Sequence, residues 1–298
     1  MSTSEEFKKI PYHADFMKKL TKPYRMTVED MLDGFEFACK KGRIKLDHVA
    51  LDALFLAPSI YHTTTDIDST LRAIDIRQYF SMRQTEYTLL KPEEVISVVL
   101  PNAELTFGKN SEDSDSVEGA KLTDLLWMSL FCQEVNDMKY LISIADSPFI
   151  EWRSERSKLF FDFVAVMFGL NQSDPKLLLQ QFVDKSSSEE LQPLAFQHAT
   201  YIQLPVIDVI ITLFSQNSER EYQNAMYLAV EAHSKHWSSK SLCKEREGFF
   251  SIPLLALAKF AYQKFGYRLS FESDYVPEQL YTRDMPKPGY SFLEKYKD

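Results

Sequence analysis

The chain has 298 residues and a mass of 34.7 kDa, with 45% apolar and 26% charged residues, a globular balance that argues against a disordered or fibrous protein. Only 8 residues are glycine, which disfavours a fold of many tight hairpins or a glycine-rich nucleotide loop and predicts a mostly helical chain. The 43 acidic residues outnumber the 34 basic ones, for a net charge of −9; that argues against a nucleic-acid partner, which needs clustered Lys and Arg, and permits a basic one.

Residues 1–26 carry mixed charge with Pro11 and Pro23 and read as an irregular arm able to pack against the body. The first 20 residues lack the apolar stretch of a secretory signal. Cys39, Cys132 and Cys243 are too few and too scattered for a disulfide framework or a zinc quartet. A reducing cytoplasm is the expected location. A first helix is predicted from Thr27, whose hydroxyl can cap it, with Glu29 and Asp30 at its positive end and Gly42 near its close. A second spans about Leu46 to Ala57 and stops at Pro58. A third follows Asp66, with Ile67, Leu71 and Ile74 on one face, and extends to about Thr85. Residues 87–110 fit either a two-stranded piece, near 95–107, or a helix plus loop. The string from Asn110 to Gly119 holds four acids and three serines without a base. It reads as an exposed loop between an N-terminal helical region, 1–110, and a C-terminal region of helix pairs, 111–298, within one continuous compact unit.

In that second region the predicted helices come two by two. One from Val117 or Leu122 to Gln133 precedes one from Asp137 to Ala145. One from Glu155 to Phe168 precedes one that Asp174 and Pro175 open. One from Leu204 to Phe214 precedes a long one from Ser218, where Ser218 and Glu221 have capping-box spacing; Ser187 and Glu190 repeat that spacing. Ser251 and Pro253 open a last long helix that ends before Gly266, with Leu254, Leu257, Ala258, Ala261 and Phe265 on one stripe. The longest apolar run, Leu159 to Leu170, is too short to span a bilayer, so no membrane is expected. The fold class is all-α, stacked antiparallel helix pairs in a solenoid-like array or a bundle, with a small β piece.

No G-x-S-x-G, Walker, H-E-x-x-H or C-x-x-C pattern occurs, so neither an enzyme nor a cofactor is expected. His233 and His236 could face one metal with Glu231 nearby, but His233 also shares an apolar face with Tyr222, Ala225, Met226 and Ala229. The packed histidine pair is preferred, and no metal site is expected. Asp66 and Asp68 after three threonines make either a small polar site or a capped helix start. Cys132 has no basic neighbour to activate it and reads as a core residue. Glu112, Asp113, Asp115 and Glu118 read either as a solvated loop or as a negative patch that draws a basic partner. Glu189 and Glu190 repeat the theme.

The segment from Ser251 to Leu280 runs from a Leu/Ala-rich helix through Gly266 to Glu272, Ser273, Asp274, Tyr275, Val276 and Pro277. It resembles the closing segment of the immunity 49 family of bacterial polymorphic-toxin immunity proteins, with Val276 where that family carries leucine. The motif residues have a structural reading: Phe271 and Tyr275 anchor the chain, Asp274 caps the last helix, and Pro277 opens it. The resemblance implies a cytoplasmic inhibitor that binds a cognate toxin domain, a basic nuclease, without turnover. The acidic loop is the expected contact, because its carboxylates can stand where phosphates would lie. A helical scaffold that binds peptides or proteins is the alternative from another class.

Overall fold

A computed structural model of the chain describes residues 9–13, 27–41, 46–100, 103–109, 116–187, 191–215, 219–243 and 245–285. Its elements fall into two compact units: Leu20–Glu151 with Asp284–Asp298, and Met1–Lys19 with Trp152–Arg283.

In the Leu20–Glu151 unit, helix α1 (Val28–Lys40) starts where the sequence places it. Thr27 Oγ1 accepts the Asp30 N–H at 3.0 Å and the Asp30 carboxylate accepts the Thr27 N–H at 2.8 Å, so two otherwise orphaned donors are satisfied together. Val28, Met31, Leu32 and Phe35 form its buried face. Helix α2 (Leu46–Thr64) does not stop at Pro58 but runs through it. Leu54, Leu56, Ala57, Pro58 and Ser59 are all buried, and that packing outweighs the one hydrogen bond a proline removes. A tight connection with Thr65 at φ 53 leads to α3 (Ile67–Thr88), capped by Asp66, which accepts the Ser69 N–H at 3.1 Å. The Thr63–Asp68 stretch is thus a helix end followed by a capped start.

The segment left open between a strand pair and a helix is a strand pair. β1 (Val95–Leu100) runs antiparallel to β2 (Ala103–Gly108), with Val98 opposite Leu105. Ile96, Val98 and Leu100 face inward, and the Val99 N–H donates to Tyr79 Oη at 2.9 Å, tying the hairpin to α3. A second, parallel pair joins β3 (Val117–Glu118) to β4 (Ile150–Glu151). Between them, α4 (Gly119–Cys132) packs on α5 (Val135–Ile144). Cys132 is buried, as expected of a core thiol.

The other unit continues the pairing. Helix α6 (Glu155–Met167) packs on α7 (Pro175–Asp184), which Asp174 caps by accepting the Lys176 N–H at 2.9 Å. Helix α8 (Pro193–His198) passes through a π-helical turn, Ala199–Gln203, into α9 (Leu204–Phe214). The wide turn sits immediately before Pro205, whose missing N–H cannot complete an ordinary α turn. Then come α10 (Glu219–Trp237), which packs on α9, α11 (Ile252–Phe265) and the short α12 (Glu278–Tyr281). Ser218, the expected cap of α10, lies outside the described residues, as do Gly42, Glu189 and Glu190. Gly266 closes α11 at φ 76, a left-handed conformation suited to glycine.

Among the described residues the fold is therefore mostly α with two small two-stranded sheets. Two further expectations need correction. Phe265, placed on the α11 stripe, is 45% exposed. The 22-residue run Pro193–Phe214, not Leu159–Leu170, is long and apolar enough by length and composition to cross a membrane, with a mean hydropathy of 1.3 and one third of that stretch (33%) buried. Leu159, Phe160, Phe161, Phe163, Val164 and Ala165 of α6 and Leu254 to Ala258 of α11 are buried. They share their interior with two cations. Lys259 Nζ donates to the Arg283 carbonyl at 2.8 Å. Arg156 donates to Gln203 Oε1 and lies over the Phe182 ring.

Candidate docking site

The motif near the C-terminus is a clasp. The Ile10 N–H donates to the Glu272 carbonyl at 2.9 Å and the Asp274 N–H donates back to the Ile10 carbonyl at 3.2 Å, a parallel bridge between Ile10 and Ser273. Asp274 does not cap α12, whose N-cap is Pro277 without a side-chain bond. Its carboxylate instead accepts the Tyr12 N–H at 3.0 Å and pairs with Lys9 at 3.2 Å. A backbone donor that arrives from 262 positions away competes with the local helix end, and the arm wins. Tyr275 is buried; its hydroxyl accepts the His13 N–H at 3.2 Å, and its ring meets the Tyr12 ring edge-on at 5.1 Å. The Tyr275 carbonyl accepts the Ser251 N–H at 3.0 Å, so the clasp also holds the start of α11. Gln223 of α10 fixes the intervening segment, accepting the Ser270 N–H at 2.9 Å and donating to the Arg268 carbonyl at 2.5 Å. Glu272, Ser273, Asp274, Tyr275 and Pro277 thus sit together as a structural joint.

The histidine pair of α10 also faces inward. His233 Nε2–H donates to the Gly248 carbonyl at 3.1 Å, and its ring packs on Tyr275 at 5.2 Å. Burial, the largest influence, depresses its pKa to about 4 despite that bond, so the ring is neutral at pH 7. His236 packs edge-on against Trp237 at 5.1 Å. Among the described residues, no group of three His, Cys, Asp or Glu is arranged to hold a metal ion.

Of the acidic loop, Glu112, Asp113 and Asp115 lie outside the described residues. Glu118 is exposed, at the end of β3, where it precedes α4 without capping it by its side chain.

Sequence reasoning did not single out the groove that α9 and α10 form on the other unit. It has a volume of about 340 Å³. Pro205, Asp208 and Thr212, at i, i+3 and i+7, line it from α9; Glu221, Asn224, Ala225 and Leu228, at i, i+3, i+4 and i+7, line it from α10. The buried residues of α9 are Val206, Ile207, Val209, Ile210 and Leu213, so the groove-lining stripe is the helix's outward one. Leu228 is 52% exposed. Asp208 makes no hydrogen bond or ion pair among the described residues. Asp208 is exposed, and the part of it that is buried holds its carboxyl above the usual aspartate range. Thr212 Oγ1 is turned onto the Val209 carbonyl at 2.8 Å. The arrangement offers an apolar shelf ending in carboxylates and holds no nucleophile paired with a base.

No curated protein and no solved structure matches the chain. The profile of the immunity protein 49 family matches residues 81–280, most of the chain, from within α3 to the end of the C-terminal clasp. With that match across both units, the chain belongs to the immunity protein 49 family, whose members are immunity proteins against a toxin.

Proposed function

We propose that this chain acts in the cytoplasm as a one-to-one inhibitor that binds a cognate toxin domain, a basic nuclease, and neutralises it without turnover. The observation that carries the reading is the family match over residues 81–280. The charge of −9 supports a basic partner, because carboxylates can occupy the positions that phosphates take in a nuclease cleft. Asp208, exposed and without a partner among the described residues, lies on the outward stripe of the apolar run Pro193–Phe214 and supports an aqueous rather than a lipid setting for that helix. Glu112, Asp113, Asp115 and Glu118 are the proposed electrostatic contact on the Leu20–Glu151 unit.

Co-expression with a candidate cognate toxin domain tests the proposal. Survival and a one-to-one complex on co-purification are expected, and reversing the four loop charges together lowers the association rate at low salt. Cell death with an active toxin and no complex would overturn the inhibitor reading. Full rescue with a toxin that degrades no nucleic acid would overturn the nuclease part.

A further inference from the structure

Arg156 of α6 is a buried cation, 6% exposed, whose charge no acid offsets among the described residues. It makes one hydrogen bond there, from Nη1 to Gln203 Oε1 in the π-helical turn, and its Cζ lies 5.8 Å from the centre of the Phe182 ring. Its Nε–H is buried and meets no acceptor. Nη2, on the same edge of the guanidinium, makes no hydrogen bond either. That edge carries two parallel donors, spaced for the two oxygens of one carboxylate. Glu155, next in the chain, pairs with Lys185 at 3.4 Å instead. A buried charge without a partner is costly, and a carboxylate would relieve it.

The groups beside Arg156 are basic too. Burial first, then the charges of His236 and Arg156, depress the His198 pKa to about 4, so the end of α8 lies next to the guanidinium. The His198 ring meets the His236 ring edge-on at 5.8 Å. Leu194 and Tyr201, four residues before His198 and three after it, are exposed, and α8 buries none of its own residues. A desolvated charge beside an exposed apolar rim is the layout of a protein contact rather than of a site for a free ion. We propose that the free edge of the Arg156 guanidinium binds the carboxylate of an aspartate or glutamate side chain, presented by a partner protein across the outer face of α8. Docking pairs the two oxygens with Nε–H and Nη2–H and lays the partner's flanking apolar groups on Leu194 and Tyr201. The proposal goes beyond the inhibitor reading and stands apart from it, because its test needs only this chain and a peptide.

Nuclear magnetic resonance titration of the full chain, read at the Arg156 Nε–H signal, tests it with two capped peptides, acetyl-Leu-Glu-Leu-amide and acetyl-Leu-Gln-Leu-amide, at equal ionic strength. The glutamate peptide is expected to move that signal downfield and to bind about tenfold tighter than the glutamine peptide. Gln203→Glu neutralises Arg156 from within the chain. It is expected to raise the melting temperature and to weaken the glutamate peptide about tenfold, which separates occupation of the site from misfolding. Lys264→Gln makes the same change in net charge at an exposed position and is expected to stay within about twofold of the parent. Equal binding of the two peptides, or no change at the Arg156 signal, overturns the proposal. Equal weakening by Gln203→Glu and Lys264→Gln overturns it in favour of general electrostatics. Sodium acetate that binds as tightly as the glutamate peptide overturns the partner side chain in favour of a free carboxylate.

Discussion

Asp75 of α3 is 2% exposed, and no donor reaches its Oδ2. Gln78, one turn on, is 1% exposed; its amide nitrogen donates to the Asp137 carboxylate while its Oε1, like Glu134 Oε1, meets no donor. Burial first, then the charges of Glu134 and Asp137, push the Asp75 carboxyl up to about 7, with Arg72 offsetting part of this. In the unfolded chain the group returns to near 3.8. Between those values the folded state holds a proton that the unfolded state has lost, so stability falls as pH rises through that window and levels off above it. At about 1.4 kcal/mol per unit, the penalty of ionising Asp75 reaches roughly 4 kcal/mol near pH 8 and about 2 kcal/mol at pH 5.5. Asp75→Asn removes the charge. The variant is expected to be more stable than the parent by about 2–4 kcal/mol at pH 8 and by clearly less at pH 5.5. Urea unfolding at both pH values measures this, followed through Trp127 in a background with Trp152 and Trp237 replaced by Phe. Glu86, Glu134 and Asp137, also raised by burial, contribute to both proteins and largely cancel in the difference. A difference that does not change with pH, or a variant less stable at pH 8, would refute the reasoning.

The clasp and the α11 terminus give two further tests. Asp274→Ala removes the acceptor of the Tyr12 N–H, a charge-assisted bond whose carboxylate is 24% exposed. It should cost about 1–2 kcal/mol and expose the peptide bonds around Tyr12 to limited proteolysis before the helices are cut; unchanged cleavage kinetics would argue against the clasp. Gly266→Ala puts a Cβ at φ 76 with no atom within 4 Å of it, so strain alone should lower unfolding free energy by about 1 kcal/mol in urea, and a neutral result would show that α11 can end another way.

Helix starts were legible because their causes are local. Thr27, Asp66 and Asp174 each accept an N–H two or three residues ahead, and such spacing is written in the sequence. What depends on distant neighbours was not. Pro58 looks like a stop until the burial of Leu54 to Ser59 is known. Asp274 sits where a cap would sit, yet binds an arm 262 residues away. The π turn before Pro205 shows only as a proline inside an apolar stretch. Some signal for Asp75 and Gln78 was present, since they share the Leu71 face of α3 and so are polar residues on an apolar stripe. The groove was harder to read. Pro205, Asp208 and Thr212 read like any solvated stripe, and only the packing of α10 beside them turns the stripe into a wall.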